Sequence, residues 1–180
     1  QRSEKGLNAA SRARKLATIR SFYGYLCNKV HVLEENPVKD MDSPKLKKTL
    51  PRYLTLEESM ALLDSVDGPN RERDYCILTL FLNCGLRISE LIGLNRSDIQ
   101  GEALHVLGKG NKERILFLND ACVKAIQDWM TDRNALTLID QNALFVTLQN
   151  RRRISVAAVH KLVKKHLADA GLDSTQYSAH

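Results

Sequence analysis

The stretch CGLRISELIGL, residues 84–94, sets an arginine and a glutamate three positions apart among apolar side chains. A guanidinium in such surroundings is costly to bury unless an anion meets it. Two partners suit Arg87. One is Glu90, which a helix would bring to the same face at i+3 as a structural ion pair. The other is an external phosphate, because the arginine fork is planar, permanently charged and able to grip two oxygens at once. The residue types leave both open. The four cysteines (Cys27, Cys76, Cys84, Cys122) include no CxxC pair, and no histidine stands at metal-ligand spacing from them. Reduced structural thiols in a cytoplasmic protein are expected, with no metal and no cofactor.

Charge narrows the choice of anion. The net charge of +6 is unevenly placed: residues 1–52 carry 12 Lys and Arg against 5 Asp and Glu, and residues 53–180 carry 15 against 16. A surface that basic favours a polyanion, nucleic acid being the commonest, although a solvated basic face without special purpose has the same composition. The apolar run CILTLFLNCGL (76–86) is too short to span a bilayer, no signal peptide opens the chain, and no membrane partner is expected.

Several elements must position these groups. Residues 8–30 have Leu16, Ile19, Tyr23 and Leu26 at helical spacing, with Arg12, Arg14, Lys15 and Arg20 off that stripe. Such a helix packs on one side and can touch phosphates on the other. Pro37, Pro44 and Pro51, with lysines between them, predict an extended basic linker over 35–55. Thr55 and Glu58 form a capping-box pattern ahead of an apolar stripe. A mostly buried helix over 71–83 should stop near Gly85, and the next should begin at about Arg87. Residues 103–118 change to a strand period around KGNK, where Gly110 and Asn111 suit the centre of a tight hairpin turn. Helices follow at about 120–133 and 155–170, the second capped by Ser155, with a short strand at 143–147 between them. Trp129 falls at apolar helical spacing and is expected in the core. His105, His160 and His166 carry no chemical assignment. The chain is therefore mainly α with a small antiparallel β-hairpin or sheet.

CGLRISELIGL, VLGKGNKERILFL (106–118) and YSAH (177–180), in that order and spacing, resemble the tyrosine recombinases, the phage integrase and Xer-type enzymes. The resemblance implies a helical core-binding (DNA-binding) domain ending within residues 1–48, linker included, and a catalytic domain over 49–180. It also implies cleavage of double-stranded DNA through a 3′-phosphotyrosyl link, reversed by a 5′-hydroxyl, without metal or high-energy cofactor. Carried over position by position, Arg87 is the first catalytic arginine, Lys109 the hairpin lysine and His180 the first histidine of an HxxR box. Glu90 is expected to support Arg87 by holding its guanidinium or nearby backbone. An ammonium on a flexible arm suits proton donation to the leaving 5′ oxygen, and Lys109 lies between two glycines. Lys112 is its rival. Lys112, Arg114, Arg151, Arg152 and Lys161, together with Arg12, Arg14, Lys15 and Arg20, are expected on the DNA backbone.

The resemblance stops at His180, before the second arginine and the nucleophile. None of Tyr23, Tyr25, Tyr53, Tyr75 and Tyr177 lies downstream of an HxxR box, so none is assigned as nucleophile. The expectation is a cleavage-incompetent piece of a longer recombinase, monomeric or weakly dimeric, whose parent assembles as a tetramer on two duplexes. The alternative is a DNA-binding module without chemistry of its own.

Overall fold

The structure is a computed structural model that describes residues 6–46, 52–108, 110, 112–175 and 177. It divides into two compact units, Gln1–Pro51 and Arg52–His180.

In the first unit, Asn8 starts helix α1 (Ala9–Tyr25) by accepting the Ser11 N–H at 2.7 Å. The helix widens into a π-helical turn (Leu26–Val30) that ends on His31 in the left-handed region at φ 55°. Of the expected apolar stripe, Leu16 is buried whereas Ile19 stays 45% exposed. The segment after α1 is not uniformly extended as its prolines suggest. Residues 37–40 turn, and the side chain of Asn36 bridges the Arg20 carbonyl and the Val38 N–H. Arg20 ties the same segment back, its Nε donating to the Val38 carbonyl (3.3 Å) and its Nη1 to Ser43 Oγ (2.9 Å).

The second unit opens with the expected capping box. Thr55 Oγ1 accepts the Glu58 N–H (3.2 Å), and Glu58 Oε2 accepts the Thr55 N–H (2.8 Å), which starts α2 (Leu56–Asp64). Helix α3 (Arg71–Cys84) is the buried centre, with Cys76, Ile77 and Leu80 fully inaccessible. It ends at Gly85, whose φ of 57° is readily adopted only by a residue without Cβ. The chain can therefore reverse at once into α4 (Ile88–Gly93), which buries Ile88 and Leu91. A single turn of 3₁₀ helix (Arg96–Asp98) leads to a three-stranded antiparallel sheet, β1 (Ile99–Gln100), β2 (Ala103–Leu107) and β3 (Glu113–Phe117), in sequential order. Strand β1 is additional to the expected hairpin. The hairpin itself closes differently from a two-residue turn. The Gly108 N–H donates to the Lys112 carbonyl at 2.8 Å, and Gly110 has φ 76°.

Helix α5 (Asp120–Asn134) packs along α3, and α6 (Val156–Asp169) presents Val159, Leu162, Val163 and Leu167 to the core. Ser155 caps α6 through the Ala158 N–H. Trp129 is in the core, stacked on Phe145 with ring centroids 6.4 Å apart.

Residues 143–147 are buried as expected but do not form a strand. Only isolated bridges, Asn95 to Ala143 and Val146 to Arg153, mark strand-like pairing. Scattered backbone bonds, Leu144 N–H to the Leu94 carbonyl and Ile154 N–H to that of Phe145, are joined by side chains: Trp129 Nε1 donates to the Leu144 carbonyl, Arg133 to that of Ala143 and Arg73 to that of Val146. Buried backbone must find partners, and here indole and guanidinium supply them. Among the described residues no helix is long and apolar enough to cross a membrane.

Candidate active site

Arg87 is the N-cap of α4, extended at φ −74°, ψ 152°, because Gly85 and Leu86 have just reversed the chain. Its side chain is 63% exposed, so the charge that burial endangers is not this one. It is Glu90, whose side chain is only 3% exposed. Four hydrogen bonds keep that carboxylate ionised. Oε2 accepts the Arg87 backbone N–H (2.8 Å) and Arg114 Nη2 (2.9 Å); Oε1 accepts Arg87 Nη1 (3.0 Å) and Arg114 Nη1 (2.8 Å). The Arg114 hydrogen bonds are the main reason the Glu90 pKa falls from 4.5 to about 2, and the same contact raises that of Arg114.

Two guanidiniums share one carboxylate, so the cluster keeps a net positive charge. Glu90 engages one edge of Arg87, and the rest of an exposed guanidinium with five N–H donors is left for an outside acceptor. The ion pair expected at Arg87 thus exists, and the fork it steadies stays exposed. The end of this helix adds little positive potential of its own. Helix α4 has six residues, and Arg87's own N–H is already given to Glu90.

The hairpin base lies against this cluster. A Cβ placed on Gly108 would sit 3.4 Å from Arg114 Nη1 and 3.6 Å from Glu90 Oε1. The residue before the expected lysine therefore lies close beside the carboxylate that holds the expected arginine. Lys109 itself and His180 lie outside the described residues, as does Asn111.

The residues expected on DNA fall into two groups. Arg12, Arg14, Lys15, Lys112, Arg152 and Lys161 are exposed. Arg20, Arg114 and Arg151 are engaged within the chain: Arg20 on its own unit's loop, Arg114 on Glu90, and Arg151 through Nε to the Leu148 carbonyl at 3.0 Å. Arg153, close to Arg151 in the chain, is likewise structural. It donates to the carbonyls of Ile92 and Leu94 and to Asn95 Oδ1, and it pairs with Asp140. A compact polar cluster also joins α3 to α6. Arg73 donates twice to Asp74 Oδ1, and His166 Nε2 lies 3.1 Å from Asp74 Oδ2 with the ring wholly buried. The pairing of Arg114 with Glu90 is not evident from sequence spacing, yet strand alternation carries a hint. Arg114 and Leu116 share the inner face of β3, while Glu113, Ile115 and Phe117 point outward.

Residues 52–180 match the profile of the phage integrase family. The chain belongs to that family. The tyrosine recombinase XerC of Caldanaerobacter subterraneus subsp. tengcongensis is 52% identical over 178 residues, covering 99% of this chain and 50% of that protein. The chain spans about half the length of the curated relatives it matches. Among solved structures, XerA recombinase aligns with a TM-score of 0.64 at 20% identity, over 98% of this chain and 74% of that one. The XerH site-specific recombinase bound to difH substrate, a pre-cleavage complex, aligns with a TM-score of 0.71 at 18% identity, over 97% of this chain and 52% of that one. At those identities the likeness is one of fold, and the mainly helical family fold with its small antiparallel sheet is the one this chain adopts.

Proposed function

We propose that the chain is part of a site-specific DNA recombinase that cuts and rejoins strands through a phosphotyrosyl intermediate, and does not cleave DNA by itself. The observation that carries this reading is the exposed Arg87 fork, pinned along one edge by a buried, ionised Glu90, in a chain whose family residues run from 52 to 180.

In such a reaction a tyrosine hydroxyl attacks the scissile phosphorus, the new P–O bond forms as the bond to the 5′ oxygen breaks, and a free 5′-hydroxyl later reverses the exchange. Bond energy is retained in the phosphotyrosyl link. Negative charge gathers on the non-bridging oxygens in the transition state, and a fixed cationic fork lowers that barrier more than it strengthens ground-state binding. Arg87 has that role. Lys109 donates the proton to the leaving 5′ oxygen, and His180 bonds the phosphate or helps take the tyrosine proton. The nucleophile is none of this chain's five tyrosines and belongs to a longer protein, in which residues 1–48 end the core-binding domain. The partner is double-stranded DNA, approached by the exposed Arg12, Arg14, Lys15, Lys112, Arg152 and Lys161. The parent works as a tetramer on two duplexes in the cytoplasm, and this chain alone is a monomer or weak dimer.

The test uses the full-length protein and a nicked suicide duplex, with the covalent protein–DNA adduct measured by denaturing gel. Arg87→Ala should lower adduct formation by on the order of 10³-fold or more, with duplex affinity in a gel shift largely kept. Equal loss of both would make Arg87 a DNA-positioning residue. No adduct from the wild-type protein, with duplex binding intact, would favour a binding module without chemistry.

A further inference from the structure

Arg114 sits on a different element from Arg87, yet both guanidiniums meet on Glu90. Arg114 uses the two ends of its fork on the two carboxylate oxygens, at 2.8 and 2.9 Å. A planar bidentate pair permits essentially one mutual orientation, so this contact fixes more than distance. It joins α4, at whose start Arg87 stands, to β3, the second strand of the hairpin. Gly108 closes the junction from the other strand: its N–H holds the Lys112 carbonyl, and a Cβ there would press on that carbonyl (3.3 Å) as well as on Arg114 Nη1. With Nη1 and Nη2 both on Glu90, the end of the Arg114 fork is committed within the chain.

We propose that Arg114 is a positioning residue for strand transfer: by forking onto Glu90 it fixes the carboxylate that orients Arg87 and holds the arginine helix in register with the lysine hairpin. This rests on the recombinase reading above. Among the described residues, Glu90 without Arg114 keeps only contacts from Arg87 itself, one backbone N–H and one side-chain N–H, and the exposed fork is free to swing. Misplacement at that scale weakens transition-state contacts far more than duplex binding, which many separate phosphate contacts share.

The experiment compares wild type, Arg114→Ala and Arg114→Lys in the full-length recombinase. Single-turnover cleavage of the nicked duplex at saturating DNA should fall on the order of 10²-fold in Arg114→Ala, with duplex affinity near wild type. Lysine should restore little, because one ammonium cannot bridge both oxygens, whereas added methylguanidinium should restore part of the Arg114→Ala rate. In the 180-residue chain alone, the Glu90 carboxyl followed by ¹³C NMR should titrate near the wild-type value of about 2 and move up toward the ordinary Glu range in Arg114→Gln. Wild-type cleavage rates in Arg114→Ala, or full activity in Arg114→Lys, would overturn the proposal. So would a parallel loss of duplex affinity, which would make Arg114 a DNA contact. If the wild-type protein does not cleave while Arg114→Gln still shifts the Glu90 titration, the recombinase reading has failed and the fork is a purely structural clamp.

Discussion

Glu90 is the residue on which the site's chemistry and its stability meet. Its folded pKa lies near 2 against 4.5 for a free glutamate, chiefly because Arg114 and then Arg87 donate to the ionised form. A depressed carboxylate pKa stabilises the fold fully above the unfolded value. That contribution fades as pH falls from 4.5 toward 2, where the unfolded chain takes up a proton that the folded one refuses. A shift of this size is worth about 3 kcal/mol for a side chain so well buried. Glu90→Gln should therefore be less stable than wild type at about pH 6 by about 2–3 kcal/mol, and the gap should shrink steadily as the pH is lowered to about 3. Chemical denaturation at several pH values measures it; a gap independent of pH would mean that packing, not charge, is what the glutamate supplies. Arg133 illustrates the opposite use of a buried charge. Its guanidinium binds the carbonyls of Ala143 and Gln141, and burial lowers its pKa from the usual value.

Among the elements, the hairpin is the one whose placement against α4 matters most. Gly108 allows the close approach, and its requirement is for space rather than for unusual backbone angles. Gly108→Ala should force either the Lys112 carbonyl or the Arg114 fork to give way, costing about 1–3 kcal/mol, and should speed hydrogen exchange at the residue-108 amide. Thr55→Ala is the matched control. Losing the cap of α2 should cost about 1 kcal/mol and leave residue-108 protection unchanged relative to the global stability. Equal exchange at residue 108 in both variants would mean that the hairpin opens only with the whole unit. Helix α3 is positioned by different means, through a buried apolar face on α5 and the Arg73–Asp74–His166 cluster on α6.

For the whole molecule, the basic residues divide into those that hold the chain and those that face outward, and salt should separate them. Removing one phosphate-binding side chain lowers the slope of log affinity against log salt by about 0.9. Alanine at Arg12, Arg14, Lys112 or Arg152 should flatten that slope with little change in thermal stability. Alanine at Arg153, which binds Ile92, Leu94, Asn95 and Asp140, should instead lower stability by about 2–4 kcal/mol and leave the slope alone. Fluorescence anisotropy on a duplex across salt concentrations, with melting curves beside it, distinguishes the two; a flattened slope in Arg153→Ala would move that residue to the DNA face. By itself, the sequence determined the helices, their caps and the hairpin, because capping boxes, glycine stops and hydrophobic period act over a few neighbouring residues. It also put Arg87 beside Glu90, since i and i+3 meet on any helix. Tertiary structure alone decided that Glu90 rather than Arg87 is buried, that Arg114 arrives from 24 residues away to share it, and that 143–147 is held by scattered backbone bonds and side-chain donors instead of a ladder. Those outcomes depend on which surfaces are brought together, and a carboxylate sealed from water must take its donors from wherever the packed elements deliver them.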